Sequence, residues 1–248
     1  MDKSNLHILQ VNTSDIDGGA EKIAWNLLES YKLQGYDSWL AVGNKLSKNA
    51  NVLLIQNDKY RSHWARFWIA NGNMFSLFVG KVPGARLLRR CLHSFGQIKR
   101  FLEIQQGYED FNFPATEQLL ELTDRKPDII HCHNLHGNYF DLRELPRLSQ
   151  QIPIILTLHD AWLLSGHCAH SFDCERWKIG CGHCPGLTIY PKIKRDATAY
   201  NLKRKQEIYG KTRLYIATPS QWLMKKVEQS ILAPAIIERK VIPNGVDL

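Results

Sequence analysis

A chain of 248 residues, 44% hydrophobic and 23% charged, has the composition of an ordinary globular protein and the length for one large domain or two small ones. Its apolar N-terminal run, 6–11, is too brief and too interrupted for a signal peptide. The stretch WARFWIANGNMFSLFVGKV is broken by Arg66, Asn71, Gly72 and Asn73, which excludes a bilayer span there. A cytoplasmic protein is expected, one in which thiols stay reduced.

In chain order, the apolar run 6–11 reads as a first strand. A helix follows over 20–33, where Ile23, Ala24, Leu27, Leu28 and Tyr31 share one face. Gly35 stops it. Strands are expected at 38–42 and 52–55, then a basic, aromatic, helical excursion over 59–113. Between Lys59 and Gly107 nine basic residues face one acid, Glu103, which matches the surplus of the whole chain, +8. Basic residues mixed with Trp64, Phe67, Trp68, Phe75, Phe78, Phe95 and Phe101 suit an anionic membrane surface or a nucleic acid. The same pattern also describes a helix pair with an aromatic core and solvated charges.

A helix is expected over 114–123, then strand 128–133, a helix-like stretch 138–149, strand 153–158, a Cys-rich loop within 160–190, a polar helix over 192–209, strand 213–218 and a helix opening at 219–222. The end, KVIPNGVDL, carries a turn at Pro243-Asn244-Gly245. Strands alternating with helices predict a doubly wound α/β fold with a parallel sheet covered on both faces. It forms a single Rossmann-like domain over 1–241, with 242–248 opening a linker.

In such a sheet ligands sit beyond the carboxyl ends of the strands. Three strand ends are therefore candidates. The first carries Gly18, Gly19, Ala20 and Glu21. Its glycines would let a phosphate or a sugar hydroxyl approach the start of the helix, or would form a plain tight turn. The second carries His131, Cys132, His133, Asn134 and His136, with both histidines of HCH on one face and Cys132 opposite. His133 is expected nearer the crevice and His131 beneath it. The third carries His159 and Asp160, the carboxylate either orienting the imidazole or capping the next turn.

DGGAEK, KPDIIHCHNLHG, LTLHDAW, ATPSQWL and VIPNGVDL, in this order, resemble the N-terminal halves of family 4 glycosyltransferases over nearly the whole chain. The sequence is most similar to a polysaccharide-biosynthesis branch that continues as SG-x-C and C-x-x-W-x-x-G-C-x-x-C-P. That pattern is met here by Ser165-Gly166-His167-Cys168 and by the run from Cys174 to Pro185.

The resemblance implies the acceptor-binding half of a two-domain GT-B enzyme. It would transfer sugar from a nucleotide-sugar to a polysaccharide or lipid-linked glycan, with retention at the anomeric carbon and no catalytic metal. It assigns Gly18 and Gly19 to the donor, His159 to the transferred sugar, and His133, Asn134 and His136 to the acceptor side. Ser220 would cap a helix facing the cleft. It also implies a C-terminal donor domain beyond Leu248, so the sequence is expected to be truncated or half of a split enzyme, and inactive alone. Peripheral attachment to the inner face of the membrane would suit a lipid-linked acceptor.

Cys168, Cys174, Cys181 and Cys184, spaced C-x5-C-x6-C-x2-C, match a structural zinc site that staples the loop beside His159. His167, His170 and His183 compete as ligands, and packing as small hydrophobes is the other reading. Two further functions stand open: an inactive sugar-binding or scaffold module, and a zinc-containing nucleic-acid-binding protein that would use KIKR and KRK. The second is disfavoured, because no groove-reading helix follows the cysteines at finger spacing.

Overall fold

The computed structural model describes residues 6–245. Residues 1–5, and 246–248 at the end of the expected linker, lie outside the described residues. Seven parallel strands form one sheet in the order β3-β2-β1-β4-β5-β6-β7. They are β1 (His7–Ser14), β2 (Asp37–Asn44), β3 (Val52–Leu54), β4 (Ile129–Cys132), β5 (Ile154–Thr157), β6 (Leu214–Thr218) and β7 (Ile236–Val241). The helices are α1 (Gly19–Leu33), α2 (His63–Met74), α3 (Ala85–Gly96), α4 (Ile98–Gln105), α5 (Leu145–Gln151), α6 (Thr198–Tyr209) and α7 (Gln221–Glu228). The sheet order reverses between β1 and β4, which makes the crevice beyond their carboxyl ends the switch point of the fold. This is the Rossmann-like α/β domain that the alternation of strands and helices predicts.

Period-two alternation decides what each face of the sheet holds. Leu9, Val11, Ile130, Cys132, Ile154, Leu156 and Leu158 point into the larger core. Ala24 and Leu28 of α1 cover the other face with Leu40, Val42 and Val52. On the α1 side the central strands carry Gln10, His131 and His133, of which Gln10 is fully buried and His133 nearly so. A polar stripe through an otherwise apolar sheet must be hydrogen-bonded internally, and it is.

Several expected elements differ in detail. Residues Pro114–Glu121 form a 3-10 helix, and the stretch expected as a helix at 138–149 resolves into a 3-10 turn, Leu142–Glu144, before α5. The polar helix starts at Thr198, six residues later than expected, because the chain from 192 to 197 lies across the Cys-rich loop without regular structure. β7 is not anticipated: its burial pattern has no inward-facing alternation, as an edge strand allows.

The excursion contains three helices. Gly72 and Gly96 let α2 and α3 close up, since a Cβ at Gly72 would stand 2.3 Å from His93 and one at Gly96 2.8 Å from Cβ of Trp68. Its aromatics do not make a core: Trp68 packs between Trp64, Phe67 and Phe95, while Trp64, Phe67, Phe78 and Phe95 remain exposed. No helix among the described residues is long and apolar enough to cross a membrane.

Candidate functional site

Three strand ends converge at the switch point. His133 Nδ1 lies 3.1 Å from Nε2 of His159, and its Nε2 meets the Gln10 amide at 3.1 Å. The Gln10 amide is satisfied on all sides when its nitrogen donates to Ala24 O and His133 Nε2 and its oxygen accepts from Leu28 N. This orientation makes Nε2 of His133 an acceptor. Its Nδ1–H then donates to Nε2 of His159, leaving the Nδ1–H of His159 as a donor.

His131 stacks on His133 with ring centroids 4.4 Å apart, as its position on the same strand face requires. Its Nε2 lies 2.8 Å from Oγ1 of Thr157. Burial, then the neighbouring His159, pushes the His131 imidazole down to about 4. Burial likewise holds His133 well below the ordinary histidine range. Burial lowers half-buried His159 too, with the Asp160 carboxylate countering part of the effect. All three are thus neutral rings at neutral pH, and His159 donates or accepts hydrogen bonds without carrying charge.

Asp160 does not orient His159. Its Oδ2 pairs with Nε2 of His136 at 2.7 Å, and its Oδ1 accepts from the backbone N–H of Trp162 at 2.8 Å. It therefore caps the turn after β5 and binds the loop after β4 to it. His133 lies between His131 and His159, in the order expected, but it is buried, and the half-buried His136 comes to the surface of the crevice. Asn134 works through its backbone, accepting from the Tyr139 hydroxyl at 2.5 Å while its N–H donates to Oδ1 of Asn12. Gly137, at a φ of 104°, passes so close to Thr13 that a Cβ there would stand 2.5 Å from the threonine methyl group.

Gly18, Gly19, Ala20 and Glu21 open α1. Gly18 is extended, and nothing lies within 4 Å of a Cβ built on Gly19, so the space beside it is open to a ligand. The left-handed position in this turn belongs to Asp17, with a φ of 100°. Ser220 is the N-cap of α7, accepting from Leu223 N at 3.3 Å.

A cavity of about 280 Å³ adjoins the His136–Asp160 pair, lined among others by Asn138, Phe113, Trp162, Tyr190 and Lys192. Tyr190, contributed by the Cys-rich loop, packs edge-on to His136. Burial, then the charges of Asp160 and Glu21, pushes its hydroxyl up.

Behind this cavity Lys205 of α6 is completely buried. Its ammonium donates to Glu109 at 2.9 Å, Trp162 O at 2.8 Å and Ser165 O at 2.9 Å, and sits 3.9 Å from the centroid of the Trp162 ring. Burial lowers the lysine and raises the glutamate. With three acceptors on the ammonium, the pair is ionised and pins the loop that follows Asp160. Sequence reading missed Gln10, Glu109, Tyr190 and Lys205. Only Gln10 left a signal, as a polar residue inside an apolar strand.

The four loop cysteines are free thiols and line one small cavity of about 20 Å³ together with His167. Cys184 Sγ lies 3.5 Å from Nε2 of His167. Cys181 and His183 are both left-handed, with φ of 57° and 47°, which winds C-x-x-C into a tight knuckle. As placed, no group of three or more His, Cys, Asp or Glu among the described residues is arranged to hold a metal ion.

Comparison with known proteins completes the description. The sequence profile of Glycosyltransferase Family 4 matches residues 60–248. A protein of Escherichia coli (strain K12) named for glycosyl transfer in colanic acid biosynthesis, WcaC, is 25% identical over 254 residues, covering 98% of this chain. The chain spans 55% of that relative's length. With three strand ends meeting at the switch point of a parallel sheet and a family profile over most of its length, the chain belongs to glycosyltransferase family 4.

Proposed function

We propose that this domain is the acceptor side of a retaining glycosyltransferase that builds a polysaccharide or lipid-linked glycan, the nucleotide-sugar being held by a second Rossmann-like domain. The observation that carries this reading is the 280 Å³ cavity, lined by aromatic rings and by His136, whose Nε2 pairs with Asp160, the residue next to His159. Aromatic faces stack on the apolar faces of sugars, and a few placed polar groups fix orientation. The Nδ1–H of neutral His159 donates to a hydroxyl of the transferred sugar. As the acceptor oxygen bonds to the anomeric carbon, the bond to the departing phosphate breaks on the same face. The acceptor proton passes to that phosphate. Open space at Gly19 and the first N–H groups of α1 suit the donor phosphates.

The test uses the full-length protein with nucleotide-sugars and a diphosphate-lipid-linked glycan, the product anomer being read by NMR. Transfer with retention, lost by a factor of about 100 or more in His159→Ala while the melting temperature holds, supports the reading. Near-normal turnover of that variant overturns the role of His159. Saturable glycan binding without transfer favours a sugar-binding or scaffold module.

In this reading the Cys-rich loop is stapled by a structural zinc ion, with Cys168, Cys174, Cys181 and Cys184 as ligands. Support comes from four thiols and His167 around one ion-sized cavity and from the left-handed knuckle at 181–183. Zinc binding would draw the sulfurs inward, and a closed thiolate shell would leave no open position for catalysis. The exposed Trp64 and Phe67 of α2, with Arg66 between them in sequence, suit peripheral contact with an anionic membrane, which co-sedimentation of a Trp64→Ala/Phe67→Ala variant with anionic vesicles would test.

A further inference from the structure

The groove between α3 and α4 is strongly basic, lined by four arginines. Arg86, Arg89, Arg90 and His93 recur at helical spacing and form one face of α3. Across from them α4 brings Arg100, Phe101 and Ile104, enclosing about 410 Å³. No carboxylate lines this space. Arg100 is already neutralised by Asp110 at 2.5 Å, whereas Arg86, Arg89 and Arg90 have no acidic partner among the described residues. The Nε–H of Arg89 is buried without a hydrogen-bond partner.

Like charges three and four residues apart destabilise a helix unless an anion is shared between them. The helix has no acid with which to relieve them, since 85–96 reads ARLLRRCLHSFG. Planar guanidinium forks match phosphate oxygens in pairs, and several forks in one groove exceed what a single phosphate requires. Ile104 lines both this groove and the cavity beside His136, so the two share that side chain as a wall.

We propose that this groove seats a diphosphate group carried by the acceptor, with the glycan extending past Ile104 toward His136 and Asp160. The proposal rests on the reading of the His136 cavity as the acceptor site. It adds a recognition element for the phosphate-linked end, so that the domain selects glycans still attached to their carrier. Leu87, Leu88, Ile98 and Leu102, all exposed on the same two helices, suit the apolar carrier.

The first measurement is calorimetric titration of the full-length protein with inorganic pyrophosphate at fixed ionic strength. One saturable site is expected, weakened about tenfold or more in Arg86→Gln/Arg89→Gln/Arg90→Gln, whose melting temperature should hold or rise. Lys211→Gln, far along the chain on an exposed turn, should change nothing. Absence of pyrophosphate binding, or equal loss in both variants, overturns the proposal. Arginine-dependent binding to phosphatidylglycerol vesicles that pyrophosphate does not compete away also overturns it, because the groove would then read a membrane surface.

The second measurement compares transfer to a diphosphate-linked glycan and to the same glycan without the diphosphate. The first should have the lower KM in the wild type, and the difference should vanish in the triple variant. An unchanged difference overturns the proposal. If neither glycan is a substrate, the acceptor reading fails, while the pyrophosphate titration still decides whether the groove binds the anion.

Discussion

The Nδ1 of His133 lies 3.1 Å from the Nε2 of His159, so a buried ring just past the end of β4 sets the tautomer of a half-buried ring beyond the end of β5. Gln10 on β1 holds the far side of His133, which makes the arrangement a three-strand relay. His133→Ala should therefore lower kcat by about 10–100-fold, the range by which hydrogen-bond partners that orient metal-bound histidines matter. His133→Asn, which keeps a donor near the same place, should recover part of the loss. Steady-state kinetics with KM resolved from kcat checks this, and an unchanged kcat would show that the tautomer of His159 does not matter.

Acid should unfold the domain through the same rings. Because His131 titrates at about 4 when folded and near 6.5 when unfolded, the unfolded state binds more protons between these values, and stability falls as pH drops through that window. The full effect of His131 alone is on the order of 3 kcal/mol, and His133 and His159 add in the same direction. Above pH 6.5 these groups should leave stability flat. Urea unfolding as a function of pH reads the slope directly, and a flat profile down to pH 4 would contradict the burial of these rings.

Lys205→Met should destabilise the domain by about 3–5 kcal/mol, because it strands the Glu109 carboxylate in the core. Lys205→Met combined with Glu109→Leu should recover much of that loss. The double variant should still transfer poorly, since Trp162 O and Ser165 O lose the ammonium that holds the loop after Asp160. Chemical denaturation of both variants, alongside activity, separates the two effects.

Protein produced without chelator should carry one zinc per chain by elemental analysis. Cys181→Ser or Cys184→Ser should lose the metal and lower the melting temperature, while Cys91→Ser, on the exposed surface of α3, should do neither. Metal-free protein as stable as the wild type would leave the cysteines as packing residues.

The alternation in the sequence determined the layout. LQVN, IHCH and LTLH each place polar groups on every second residue, and that period alone puts Gln10, His131 and His133 on one face and Cys132 in the core. Helix α1 and the N-cap at Ser220 are local for the same reason, since a face or a cap is specified by residues three or four apart.

What the sequence left undecided depends on contacts between segments far apart in the chain. Asp160 had two plausible neighbours nearby, and only the packing of the loop after β4 gave it His136. Lys205 lies 96 residues from Glu109 and reads as an ordinary helix surface residue until α6 closes over both. Tyr190 reaches His136 because the Cys-rich loop folds back over the crevice. Local propensity fixes which face a side chain occupies; which partner it meets there is set by how the distant segments pack, and at this site that packing decided the chemistry.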